Sequence, residues 1–433
     1  MGDQAKPLPL NLGVLVSLSA NAIRIFGWIL VLPLITQKLS PREQGLFYAF
    51  QSLSTIQSIV VLGFGFIILQ QSARILKKSN STTEELLNNT EFAKLLSFAS
   101  SWYIGIISIA IVVLFVYGKL ILGSITSQTE YFAWIVFGIG ALIQTISNGF
   151  QNLTEGIGNV FYVACLNLFT SIVSIGSLAF FLITDFGIWA QSLSMIIGAT
   201  SMLCAYIYVN RKITTLLRPN LNWIHDRTWM QSIIKFQAKM ALSTVAAFFA
   251  FNTFIPAILR IRGPEEAGKY GLALQICNSL SGIAITTMTY HRNKWGVLAA
   301  TARVNQLLSE MSRVLLVVVT LFSISFFSVG LFLYSSTQTV IPQHRIPAIP
   351  VFLLIGLAAL FQAASNVLGQ AARSFSDEPM LPVSIAYAGI MFLGVFLAIP
   401  HGHAAAWQMS SSLFMLIGGT AIFFPYMNKQ REK

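Results

Sequence analysis

Residues Val31–Phe50 read VLPLITQKLSPREQGLFYAF, and Phe254–Leu274 read FIPAILRIRGPEEAGKYGLAL. Pro33, Pro41, Glu43 and Gly45 of the first stretch recur as Pro256, Pro264, Glu266 and Gly268 of the second, each displaced by 223 residues. Gln144, Asn148, Asn152 and Glu155 recur as Gln362, Asn366, Gln370 and Arg373, displaced by 218. The chain is therefore written twice, and both copies are apolar. Duplicated halves of a polytopic membrane protein place a binding site at the repeat interface and permit alternating access by rocking of one half against the other. This pattern points to a transporter rather than an enzyme.

Composition agrees. Of the 433 residues, 55% are hydrophobic and only 10% charged, with mean hydropathy +0.71. A soluble domain carries roughly 25% charged residues, so a water-surrounded fold is excluded. A membrane span needs about 20 apolar residues. Twelve candidates run near 11–36, 46–70, 95–117, 131–151, 160–183, 187–209, 236–259, 270–290, 314–334, 350–370, 380–399 and 404–426. Only Thr184-Asp185-Phe186 separates the fifth from the sixth, which makes it the weakest boundary. Barrel strands are about 10 residues long with alternating polarity, and nothing here alternates. The expected fold is all-α: two pseudo-symmetric six-helix lobes around a central cavity, residues 1–210 and 236–433, joined by a cytoplasmic linker over 211–235. The first apolar run is too long for a signal-peptide core and reads as an uncleaved helix. Segments 71–94, 210–235 and 291–313 are expected as the long loops. Thr82 or Thr83 is a candidate cap in the first, and the tryptophans and basic residues of the second suit the membrane interface.

The net charge of +12 is sorted by side. Of the 27 Lys and Arg, 18 fall in the segments on the side of the N-terminus and seven in the opposite loops. By the positive-inside rule both termini are cytoplasmic, and an even number of spans requires them to share a side. No nucleic-acid role is implied. There is no phosphate-binding GxxxxGK[ST] motif, and Cys165, Cys204 and Cys277 have no metal-ligand spacing. No cofactor is expected.

Two basic residues lie inside spans. Arg24 sits mid-span with Ser17, Asn21 and Trp28 on its face. A charge at such depth costs between about 2.5 and 17 kcal/mol, so it faces a cavity or a partner. It is either an anion-binding group or a structural arginine held by carbonyls or an acid. Lys239 begins the repeat-mate span, where it either shares that cavity or snorkels to the interface. Together they suit a phosphate, bound bidentately by Arg and by Lys as a point charge. The spacings of 4, 4 and 3 put Gln144, Asn148, Asn152 and Glu155 on one helix face, and likewise Gln362, Asn366, Gln370 and Arg373. Such faces turn away from lipid. Their amides serve either sugar hydroxyls or neighbouring helices. Glu155 and Arg373, opposite in charge, are candidates for a gate ion pair. Gln51, Ser54 and Thr55 match Gln275, Asn278 and Ser279 with a displacement of 224 and add to the polar lining. Pro33 and Pro256 mark bends or fixed kinks in the first and seventh spans. Carboxylates are nearly absent at depth, which argues against a proton- or sodium-coupled cation antiporter.

Residues 39–75, LSPREQGLFYAFQSLSTIQSIVVLGFGFIILQQSARI, resemble the N-terminal signature of polysaccharide-transporter proteins, specifically Wzx-type O-antigen flippases within the multidrug/oligosaccharidyl-lipid/polysaccharide exporter superfamily. The matching positions are Leu39-Ser40-Pro41, Gly45, Phe47-Tyr48 and Leu62-Gly63-Phe64. The resemblance implies two six-helix lobes in the bacterial inner membrane and passage of undecaprenyl-pyrophosphate-linked oligosaccharide from the cytoplasmic to the periplasmic leaflet. Arg24 and Lys239 match its basic cavity residues by type and depth. It also implies a complex with other polysaccharide-assembly membrane proteins. The rival readings are a multidrug/cation antiporter of the same fold, a membrane enzyme such as a polymerase or acyltransferase, and a non-transporting assembly partner. An enzyme would need a large outer loop or a buried His/Asp pair, whereas His344, His401 and His403 fall in short loops.

Overall fold

The structure, a computed structural model, describes residues 30–55, 89–122, 127–214, 252–301, 303–335, 341–375 and 379–432, with scattered residues between 23 and 28, 64 and 75, and 241 and 249. The described residues are helical almost throughout and contain no strand. In chain order the helices are α1 (residues 30–38 in its described part), α2 (Pro41–Ser54), α3 (Thr90–Leu122), α4 (Gln128–Gly156), α5 (Val160–Ile183), α6 (Trp189–Val209), α7 (Phe254–Arg262), α8 (Pro264–Ala300), α9 (Val304–Ser335), α10 (Ile349–Arg373), α11 (Leu381–Leu397) and α12 (Ala404–Arg431), with one further turn at Arg211–Thr214. Seven of them are long and apolar enough to cross a membrane: α3 to α6, α9, α10 and α12; α11 is a shorter apolar helix. Among the described residues these twelve helices make up an all-α polytopic membrane protein.

Helix ends follow their local chemistry. Ser40 and Glu43 form a reciprocal capping box at the start of α2, with Ser40 N–H donating to Glu43 Oε2 at 2.9 Å and Glu43 N–H to Ser40 Oγ at 3.2 Å. Pro41 occupies the first turn, where its missing N–H costs nothing. Ser127 and Glu130 repeat the box at α4. α3 is capped by Asn89, whose Oδ1 accepts from Glu91 and Phe92 N–H; Thr82 and Thr83 lie outside the described residues. Thr184–Ile188 do separate α5 from α6. Asp185 (φ 60°) and Gly187 (φ 57°) both enter the left-handed region there, which ends the helix abruptly.

The expected loop 291–313 is instead helix. α8 continues to Ala300 and α9 resumes at Val304. Charges in this segment are paired: across the two helices Glu310 lies 3.0 Å from Lys294 and 3.7 Å from His291, and along α9 it lies 3.7 Å from Arg313. Side chains of opposite sign let the pair of helices extend beyond its apolar length.

The chain separates into two compact units, residues 1–27 with 50–245 and residues 28–49 with 246–433. Within the first, α4 packs on α6, α6 on α5, and α3 on α4. Within the second, α10 packs on α12, α12 on α11, and α9 on α10. The duplication thus extends from sequence to helix pairing. In each unit the central helix, α4 or α10, is the most enclosed: 50% and 56% of its apolar window is buried, against 17–33% in the other spans. Small residues allow this close approach. On α10 a Cβ at Gly356 would fall onto the Phe326 ring of α9. The outer helices present Ile109, Val112, Phe180, Leu316, Ile324 and Phe396 to the surroundings, as lipid-facing helices do.

Candidate functional site: one polar face per unit

Each enclosed helix leaves one interior position open. From residue 140 to 157 Asn148 alone is exposed, and from 358 to 372 Asn366 alone. These are the 218-residue repeat mates. On α8, Asn278 is likewise the one exposed residue between 270 and 280. An amide open to hydrocarbon at this depth would cost several kcal/mol. Three amides are thus open on helix segments whose other residues are buried or half-buried.

The α4 face is bonded largely to itself. Gln144 Nε2 donates to Asn148 Oδ1 at 3.1 Å and contacts Met202 Sδ of α6 at 2.8 Å; Asn152 Nδ2 donates to the Asn148 carbonyl at 2.7 Å. Glu155 is half-buried in the last turn. Below it, buried Asn210 donates to Thr154 Oγ1 at 2.9 Å and Tyr206 reaches Asn167 Oδ1 at 3.5 Å. Sequence reasoning passed over this second group because its partners lie 39 and 56 residues apart.

The α10 face is tied across helices. Gln362 Nε2 donates to Tyr387 Oη of α11 at 2.9 Å and to Ser412 Oγ of α12 at 3.0 Å. Tyr387 and Ser412 also share a hydrogen bond at 3.3 Å. Nearby, buried Tyr270 of α8 donates to Gln408 of α12. Arg373 closes α10 in an exposed position and Gln370 is half-buried. Gln275 is half-buried beside Asn278 and its carbonyl accepts from Ser279 Oγ. Gln51 on α2 is half-buried, with Ser54 Oγ donating to its carbonyl.

The two prolines occupy different settings. Pro33 lies within the continuous helical run 30–38, while Pro256 sits in the first turn of α7, just after an interruption at residues 252–253. Arg24, Asn21 and Lys239 lie outside the described residues. Among the described residues no group of three His, Cys, Asp or Glu is placed to hold a metal ion.

No family model matches the chain, and no curated protein matches it by sequence. Solved structures do match. A MATE-family multidrug resistance transporter of the MOP superfamily, in its inward-facing conformation, superposes with a TM-score of 0.63 at 11% identity, covering 97% of this chain and 99% of the other. The fold is that of the MATE and MurJ transporters. The MATE multidrug transporter DinF-BH gives 0.63 at 15% identity, covering 98% of this chain and 97% of the other. The lipid II flippase MurJ, inward closed, gives 0.60 at 14% identity, covering 97% of this chain and 90% of the other. The likeness spans the full twelve-helix chain.

Proposed function

We propose that this protein is a flippase that carries undecaprenyl-pyrophosphate-linked O-antigen oligosaccharide units from the cytoplasmic to the periplasmic leaflet of the bacterial inner membrane by alternating access. The observation that carries the reading is the set of open amides, Asn148, Asn366 and Asn278, each alone on an otherwise enclosed helix segment. Amides donate and accept at once, which suits a glycan of many hydroxyls. The shared fold with a lipid flippase supports the class of activity, and the signature over 39–75 supports the substrate. Arg24 and Lys239 supply the pyrophosphate contacts, and the prenyl tail stays in lipid. Glu155 and Arg373 form the gate pair, both termini are cytoplasmic, and polysaccharide-assembly membrane proteins are the partners.

A multidrug antiporter is the second reading, since two of the matched structures are multidrug transporters. It would require an acid at depth to hold a cation. Among the described helices every Asp and Glu lies within the first or last two turns, which favours the flippase.

The test is leaflet accessibility of a lipid-linked oligosaccharide in vesicles holding wild-type protein, Arg24→Ala or Asn148→Ala. Protein-dependent crossing is expected, reduced about fivefold by Asn148→Ala for one lost hydrogen bond of about 1 kcal/mol, and more by Arg24→Ala. Folded protein that moves no such lipid but exchanges an organic cation would replace the flippase with the antiporter.

A further inference from the structure

The last residues of α1 and the start of α2 belong to the first repeat by sequence, yet residues 28–49 pack as part of the second unit. The unit boundary crosses α2 between Ala49 and Phe50. The α1–α2 corner lies on its own repeat mate, the α7–α8 corner. A Cβ at Gly45 would fall onto the Pro264 carbonyl, and one at Gly271 would stand 2.5 Å from Tyr48 Cβ. Gly45 is thus required by a close backbone approach.

One charged residue fastens this arrangement. Arg345, in the loop between α9 and α10, is only 9% exposed. Its guanidinium donates to the Leu39 carbonyl at 2.7 Å and to Gln44 Oε1 at 3.2 Å. Leu39 offers one of the carbonyls left over at the end of α1. Gln44, 1% exposed, in turn donates from Nε2 to the Gly268 carbonyl at 3.2 Å. Burial pulls the Arg345 pKa below its ordinary value, and the Glu265 and Glu43 carboxylates oppose that pull. A guanidinium buried this way has strong need of the acceptors the corner brings.

We propose that Arg345 is a positioning residue that latches the α1–α2 corner to the second unit, and that releasing this latch is the step that opens this end of the transporter. The proposal rests on the alternating-access reading above, but not on the identity of the cargo.

The test reads the corner itself, without substrate. In protein with Cys165, Cys204 and Cys277 replaced by Ser, a cysteine is placed at Ala49 or Ala267, both fully buried beside the corner, and labelled with a maleimide in vesicles. Arg345→Ala should raise the labelling rate at either position about tenfold, since hydrogen bonds to charged groups are the strongest of their kind. Gln44→Leu should raise it by less. Arg345→Lys should recover part of the protection, because a single ammonium cannot span both acceptors as the guanidinium fork does. A control cysteine at buried Ala199 in α6 should keep its rate. Unchanged labelling in Arg345→Ala would overturn the latch. An equal rise at Ala199→Cys would overturn it too, by making Arg345 a support of the whole fold. If the latch variants behave as expected while no lipid-linked oligosaccharide crosses, the cargo assignment falls and the latch stands.

Discussion

The two polar faces began as copies and now differ in what they hold. On α4, Gln144 and Asn152 bond within their own helix, and the contact outside it goes to the Met202 thioether, a weak acceptor. On α10, Gln362 ties three helices together through Tyr387 and Ser412, and Tyr270–Gln408 brings in a fourth. The same spacing of amides therefore serves two ends. In the first unit it bonds the amides mainly along their own helix; in the second it ties neighbouring helices together. Both readings of an intramembrane amide were open from the sequence, and on α10 Gln362 is bonded to neighbouring helices. The open positions Asn148 and Asn366 are what the two faces still share.

The comparison breaks first at Gln408. Gln408→Leu leaves the buried Tyr270 hydroxyl without its acceptor, and an unmet buried donor costs about 1–3 kcal/mol. Pairs inside membranes average nearer 0.6 kcal/mol, because the unfolded helices also find partners, so about 1–2 kcal/mol is expected. Thermal unfolding in detergent, followed by tryptophan fluorescence, should show it as a lower Tm. Adding Tyr270→Phe should return most of the loss, because removing both partners removes the orphan. A loss that the second change does not mend would mean Gln408 acts by packing.

A smaller difference separates the two glutamines. Gln362→Leu removes two interhelical bonds but leaves Tyr387 and Ser412 bonded to each other, so about 0.5–1 kcal/mol is expected. Gln144→Leu should cost less than about 0.5 kcal/mol, yet reduce glycolipid crossing more than Gln362→Leu does. Equal stability losses, or transport lost only in Gln362→Leu, would reverse the division of labour between the units.

How far the sequence foresaw this depends on the range of the interaction. Helices were legible because apolar length and capping chemistry act within a few residues; Ser40-Pro41-Arg42-Glu43 carries its own helix start. The polar faces were legible because a helix brings residues four apart together. What Gln362 touches was not, since Tyr387 and Ser412 lie 25 and 50 residues away. Arg345 was counted only as one more loop charge, because nothing near it in sequence marks Leu39 and Gln44, 306 and 301 residues away, as its acceptors. The segment 291–313 was read as loop because it lies between two apolar runs, whereas the helices continue past their apolar length and Glu310 pairs with Lys294 and His291 across them.

That helical end supplies the smallest effect and a check on the rest. Glu310, which precedes the apolar run 314–334 of α9, is held below its ordinary pKa of 4.5, first by its hydrogen bond to Lys294 and then by the charges of Lys294, Arg313 and His291. A depressed carboxylate stabilises the fold above its unfolded pKa, and that contribution fades as pH falls through the lower folded value. The Tm difference between wild type and Glu310→Gln should therefore be constant at neutral pH and shrink below about pH 4.5, where the unfolded carboxyl begins to bind its proton. The cluster is open to solvent on the Lys294 and Arg313 side, and water and salt screen such pairs, so the plateau should be small and shrink with added salt. If Glu310→Gln lowered Tm as much as Gln408→Leu, polar contacts at the solvated end would matter as much as those in the interior. The contrast between the two faces would then no longer locate where the second unit is held.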